Sequence, residues 1–270
     1  MSFATSDFLI ASAVAAGAVV VLVLCTWLVG KTLGRFNVID VAWGLGFVSV
    51  AWVAFALSSG HGDDTRRLVV ALLVTAWGGR LAAYIAWRSR GHGEDPRYAA
   101  MLEGHADPAR RALGIFLTQA VAIWFVSLPV QVAMFEPSAP GALLWIGTAV
   151  WAIGFGFETV GDAQLARFRA DTANRGQVMD RGLWRFTRHP NYFGDACVWW
   201  GLYLIAAQQW VGAITILSPL VMTWTLTRKT GKPLLEAGMA ERRPGYASYV
   251  ARTSGFFPWP PKREPSNVAS

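Results

Sequence analysis

The chain has 270 residues, of which 54% are hydrophobic and only 15% charged, with fourteen tryptophans and a formal net charge of +7. This composition lies outside the range of soluble globular domains, and no polar stretch is long enough to form a separate soluble catalytic domain. The expectation is an all-α, polytopic integral membrane bundle, a single domain over 1–270 with a flexible tail at 263–270.

A bilayer core takes about 20 apolar residues as helix, and seven runs come near that length. The first, Phe8 to Gly30, carries no charge and has no basic start, so it reads as a retained helix rather than a cleaved leader. The second, Phe36 to Ser58, carries Asp40, and the third, Arg67 to Trp87, carries Arg80. The fourth, Ala112 to Phe135, contains Pro129, and the fifth, Pro140 to Gly161, has Glu158 near its end. Two coupled helices follow, at Tyr192 to Ala207 and Gln209 to Thr227; the first of these is short enough to be tilted or re-entrant.

Basic residues test this layout, because Lys and Arg collect on the cytoplasmic side of a span. Alternate loops hold 21 of the 24 Lys and Arg residues, leaving Arg66 and Arg67 on the other side and Arg80 within a span. That asymmetry puts the N-terminus outside and the basic loops and C-terminal tail in the cytoplasm, in a multi-pass protein of the cell membrane. The net charge then reflects topology and attraction to anionic membrane lipids, and no nucleic-acid partner is expected.

Several chemistries lack their residues. Cys25 and Cys197 fall in different spans, at opposite depths, which speaks against a disulfide or a metal site, and no histidine pair has zinc-site spacing. Gly44-Leu45-Gly46 and Gly154-Phe155-Gly156 lie in apolar runs, where small residues bring helices together rather than cradle phosphates. Small residues of this kind are also the only oligomerisation signal.

Ionisable groups within spans mark either structural pairs or sites. Asp40 and Arg80 qualify on both readings, as a mutual pair that fixes packing or as groups that meet a substrate. Trp77, Arg80 and Tyr84 share a helix face, with Tyr84 a candidate phenolic proton donor and Trp77 a core or interfacial aromatic. The loop Gly93-Glu94-Asp95-Pro96-Arg97-Tyr98 adds Tyr98 as a second donor, with Asp95 and Arg97 ordering the loop. Glu158, Asp162 and Arg169 line one face if the fifth helix continues past the span.

The densest polar segment is Arg188-His189-Pro190-Asn191-Tyr192-Phe193-Gly194-Asp195, preceded by Gly182-Leu183-Trp184. This string resembles the signature of membrane reductases related to the C-terminal domain of steroid 5-alpha-reductases and to sterol reductases, and most closely their bacterial branch of uncharacterised proteins. The likeness extends over Asn37 to Trp43, Trp77 to Leu81, Gly93 to Tyr98, Asp162 to Phe168, Gly231 to Glu236 and Tyr246 to Pro261.

The resemblance implies a helical bundle that holds NADPH in a cavity open to the cytoplasm and takes a lipid-like substrate from the bilayer, of sterol, polyprenyl or fatty-acyl type. Cofactor positions of the family match Asp162, Arg169, Arg188, Asn191 and Asp195 here, Tyr249 fits the segment that closes on the cofactor, and His189 and Tyr192 belong to the signature. Asp40 takes the place of the family's catalytic acid. Trp77 stands where the steroid enzymes have a tyrosine, which leaves Tyr84 or Tyr98 as donor.

Two other readings stand beside this one. Isoprenylcysteine-type methyltransferases share a related His-Pro-x-Tyr segment and use S-adenosylmethionine, although their paired glutamates are replaced by Leu234-Leu235-Glu236. A non-catalytic lipid-binding or scaffold protein would use the same polar groups only to hold its helices.

Overall fold

The computed structural model describes residues 3–229, 236 and 238–262; the tail 263–270 and the 231–235 part of the resemblance lie outside the described residues. Among the described residues all regular structure is helical, apart from a lone bridge between Thr187 and Ser254. Among the described residues, six helices are long and apolar enough to cross a membrane. The helices are α1 (Thr5–Leu33), α2 (Val38–Leu57), α3 (Asp64–Arg88), α4 (Pro96–Leu102), α5 (Pro108–Val126), α6 (Leu128–Phe135), α7 (Ala142–Ala170) and α8 (Pro190–Ala206). They continue with α9 (Trp210–Lys229), α10 (Met239–Arg242) and α11 (Tyr246–Arg252).

The six long helices are α1, α2, α3, α5, α7 and α9. The segment expected as the sixth of seven spans is α8, which has 17 residues and falls just short of them. The expected fourth span is divided at Ser127, because Pro129 has no N–H to continue the ladder. The carbonyls exposed there are recovered locally: Ser127 Oγ donates to Trp124 O at 2.8 Å and Gln131 Nε2 to the same oxygen at 3.1 Å.

The chain divides into two compact units, one of Met1–Trp145 with Leu202–Ser218, the other of Ile146–Gly201 with Pro219–Ser270. In the first, α2 packs on both α1 and α3, and α5 closes against α1. The α2–α3 contact is backbone on backbone. A Cβ on Gly78 would lie 2.6 Å from the Gly44 carbonyl, and one on Gly44 would meet the Gly78 carbonyl in turn. Helices start where carboxylates meet orphan amides: Asp63, Asp95 and Asp107 cap α3, α4 and α5, with Pro96 and Pro108 at the first helical positions.

Arg66 and Arg67 account for the two basic residues on the sparse side of the charge count. Both are buried. Arg66 donates to the carbonyls of Glu136 and Ser138 and to Gln208 Oε1, and Arg67 to Ser58 Oγ and the Phe55 carbonyl. They tie helix ends and connecting loops together inside this unit.

In the second unit α7 and α8 also meet through glycine, since a Cβ on Gly154 would lie 2.5 Å from the Gly194 carbonyl. Trp184 Nε1 donates to Gly161 O at 3.0 Å, and Gln164 Oε1 accepts from Leu183 N at 2.9 Å, so α7 holds the loop that precedes α8. The segment after α11 straps that loop from its other side. Arg188 N donates to Ser254 O, Thr187 Oγ1 to Phe256 O and Trp259 N to Phe186 O, at 2.8–2.9 Å.

Candidate functional site

The candidate catalytic residues fall in the first unit and the candidate cofactor residues in the second. In the first, the loop after α3 folds back on the start of α2. Glu94 accepts the amides of Phe36 and Asn37 at 2.5 and 2.9 Å, and Asn37 Nδ2 donates to Gly93 O. The carboxylate thereby satisfies amides at the start of α2, where its negative charge also suits the helix dipole.

That clamp delivers α4 to Asp40. The Tyr98 hydroxyl donates to Asp40 Oδ1 at 2.6 Å, and Arg97 Nη2 donates to Asp40 Oδ2 at 2.8 Å. Arg97 also binds Asp95 through Nε at 3.0 Å, and Gln119 Nε2 of α5 donates to the Tyr98 oxygen at 3.3 Å. Tyr98 is only 4% exposed, whereas the Arg97 side chain is 43% exposed, so the cluster has one dry end and one wet end.

Electrostatics follow from this placement. Burial first, and then the Asp40 charge and hydrogen bond, push the Tyr98 phenol well above its ordinary value, so it stays protonated at neutral pH. Burial alone would lower the Arg97 guanidinium, but hydrogen bonding to Asp95 and the Asp40 charge raise it. For Asp95, burial would raise the carboxyl, and the hydrogen bonds from Arg97 outweigh it and hold it low.

Asp40 and Tyr98 are therefore brought together, and Arg97, expected only to order the loop, joins them. Tyr84 lies beneath the guanidiniums of Arg80 and Arg88, at 5.2 and 5.5 Å from its ring. Trp77 is fully buried against Phe47, as a core aromatic. Gln119 went unnoticed in the sequence, although a polar side chain within an apolar run was the signal that marked it.

In the second unit, Glu236 is the hub. Its Oε1 accepts from Arg188 Nε at 2.9 Å and lies 2.8 Å from His189 Nε2. Arg188 also donates to Thr253 O at 2.7 Å, and the His189 ring stacks on Tyr192 at 5.5 Å. Asn191 Nδ2 reaches Asp162 Oδ1 at 3.2 Å, and Tyr249 donates to Trp184 O at 2.6 Å. Asp195 stands one turn beyond Asn191 on α8, and α7 continues to Ala170, so Arg169 sits exposed in its last turn.

Burial alone would raise the Glu236 carboxyl, yet the hydrogen bonds from His189 and Arg188 bring it down to about 2. Burial pushes the Tyr249 phenol up.

These contacts sort the candidates. Arg188 and Tyr249 spend donors on Glu236, Thr253 and Trp184, which hold the strap in place. His189 Nδ1 is buried and has no hydrogen-bond partner among the described residues, so it is a polar atom with capacity for a ligand. With the amide of Asn191 and the accepting carboxylate of Asp162, that set of polar groups suits the hydroxyl and amide groups of a dinucleotide. No cluster of metal-ligating side chains occurs among the described residues.

Fold and composition together define an all-helical membrane protein, with its ionisable clusters on loops and helix ends. The chain belongs to the family described as "Protein of unknown function (DUF1295)", whose profile matches residues 26–253. It is 26% identical over 234 residues, 74% of this chain, to an uncharacterized protein of Schizosaccharomyces pombe, and the match spans 65% of that relative's length. No solved structure matches the chain significantly.

Proposed function

We propose that the protein is a membrane oxidoreductase that uses NADPH to reduce an activated carbon–carbon double bond in a lipid-like substrate. The observation that carries this reading is the Tyr98–Asp40 pair, a buried phenol that donates to a carboxylate near the start of α2. The likeness of the Arg188 to Asp195 string to steroid 5-alpha-reductases and sterol reductases supports it. On this reading the chain spans the cell membrane seven times, with the N-terminus outside and the basic loops and tail cytoplasmic.

His189, Asn191 and Asp162 would hold the dinucleotide, with Asp195 and Arg169 beside them on α8 and α7. NADPH, when bound, supplies the hydride. Tyr98 supplies the proton that completes the saturated bond. Its raised pKa keeps that proton in place until a far more basic carbon develops. Arg97 holds the second oxygen of Asp40, so that the first stays aimed at the phenol, and water at the exposed Arg97 end restores the proton after each turnover.

The test is product analysis. Purified protein is incubated with NADPH and S-adenosylmethionine and a membrane lipid extract in deuterated water, and the lipids are read by mass spectrometry. The expected product has gained one hydrogen from the cofactor and one deuterium from solvent. A lipid that instead gains a methyl group from S-adenosylmethionine would replace this reading with methyl transfer.

A further inference from the structure

A cleft of about 300 Å³ opens in the second unit beside the strap, lined by Arg185, Arg252, Lys262, Thr253 and Asp180 among others. It is set by backbone geometry. Lys262 N donates to Arg252 O at 2.9 Å, which fixes the lysine next to the last turn of α11, and Trp259 N holds the strap to Phe186 O, one residue from Arg185.

The charges within it do not cancel. Arg252 is neutralised by Asp180, at 2.6 Å. Neither the Arg185 guanidinium nor the Lys262 ammonium is engaged by an acidic or carbonyl group of the described residues, so two cations face one small cleft. An anion with several acceptor oxygens meets that demand.

The strap and the loop it binds, next in the chain to the lining residues, say where the anion comes from. Trp259 and Phe257 are 71% and 69% exposed, and Phe186 is exposed as well. Large aromatics bared beside cations match the headgroup level of a bilayer, where an indole or phenyl ring takes the apolar side and the cations take the phosphate. A site for a soluble phosphate has no use for three bared rings.

We propose that this cleft binds the phosphate of an anionic lipid headgroup and seats the strap on the membrane surface. The proposal is independent of the reductase reading. Lipid charge then governs the order of the strap, and with it the contacts of Arg188 with Thr253 and Ser254.

The test is calorimetric titration of delipidated protein in neutral detergent with short-chain phosphatidylglycerol, short-chain phosphatidylcholine and inorganic pyrophosphate. Saturable binding of phosphatidylglycerol is expected, in preference to phosphatidylcholine. The R185Q/K262Q variant should weaken it about tenfold, given the attraction each cation offers an anionic headgroup. Trp259→Ala should weaken phosphatidylglycerol but leave pyrophosphate unchanged. All three side chains are exposed, so circular dichroism should match the wild type. Equal phosphatidylglycerol affinity in wild type and R185Q/K262Q would overturn the proposal. Pyrophosphate binding as tight as phosphatidylglycerol, with no effect of Trp259→Ala, would overturn the lipid source.

Discussion

The Tyr98 hydroxyl and Asp40 Oδ1 are 2.6 Å apart although 58 residues separate them in the chain. Their meeting depends on Glu94, which pins the loop to the start of α2, and on Arg97, which holds the other carboxylate oxygen. A phenol and a carboxylate in this arrangement keep a proton available within a dry environment.

Tyr98→Phe separates chemistry from binding. The variant retains the Asp40–Arg97 pair and leaves Gln119 Nε2 without its acceptor. NADPH affinity should be unchanged, lipid reduction should fall at least about 100-fold, and stability should drop by about 1–2 kcal/mol. Deuterium incorporation into product and thermal unfolding in detergent measure the two effects. Unchanged turnover would remove Tyr98 from the reaction.

Glu236 makes the strap sensitive to acid. Its folded-state pKa of about 2 lies below the ordinary 4.5, so its contribution is present in full above pH 4.5 and is lost as pH falls toward 2. Limited proteolysis should show the segment after α11 becoming susceptible over that interval. Glu236→Gln should flatten this pH dependence and raise susceptibility at neutral pH.

Two glycines in long helices should respond in opposite senses to the same substitution. Gly44→Ala forces a methyl into the Gly78 carbonyl and should cost about 2 kcal/mol or more, since backbone cannot yield as a side chain does. Gly156→Ala meets nothing within 4 Å and should be neutral or stabilise α7 by up to about 1 kcal/mol. Thermal midpoints in one detergent compare them directly.

Asn191→Ala and Arg188→Ala distinguish ligand contact from scaffold. Asn191 makes two long bonds, to Asp162 Oδ1 at 3.2 Å and from Tyr192 N at 3.1 Å, so its loss should weaken NADPH binding at least about tenfold with little change in thermal midpoint. Arg188 is 9% exposed and braces Glu236 and Thr253, so Arg188→Ala should destabilise the strap by about 2–4 kcal/mol. Fluorescence titration with NADPH and thermal unfolding read the pair.

Apolar runs made the long helices legible, because length and hydropathy are local properties, and Gly44, Gly46 and Gly154 within those runs read correctly as packing points, whereas Gly156 meets no neighbour. The break at Ser127 was missed: Pro129 signalled it, but the apolar run around it outweighed that signal. Arg66 and Arg67 resembled a loop flank in the charge count, because burial against carbonyls leaves no mark in composition. The pairing of Asp40 with Arg97 and Tyr98, and of Glu236 with Arg188 and His189, depends on contacts 47 to 58 residues apart, which no spacing rule encodes.

The most direct test of the central claim is calorimetric titration of the folded, detergent-purified protein with NADPH and, in parallel, with S-adenosylmethionine. The account predicts saturable NADPH binding that Asn191→Ala weakens and Tyr98→Phe leaves unchanged, with no heat from S-adenosylmethionine. Binding of S-adenosylmethionine alone, or of neither cofactor by a folded sample, would contradict it.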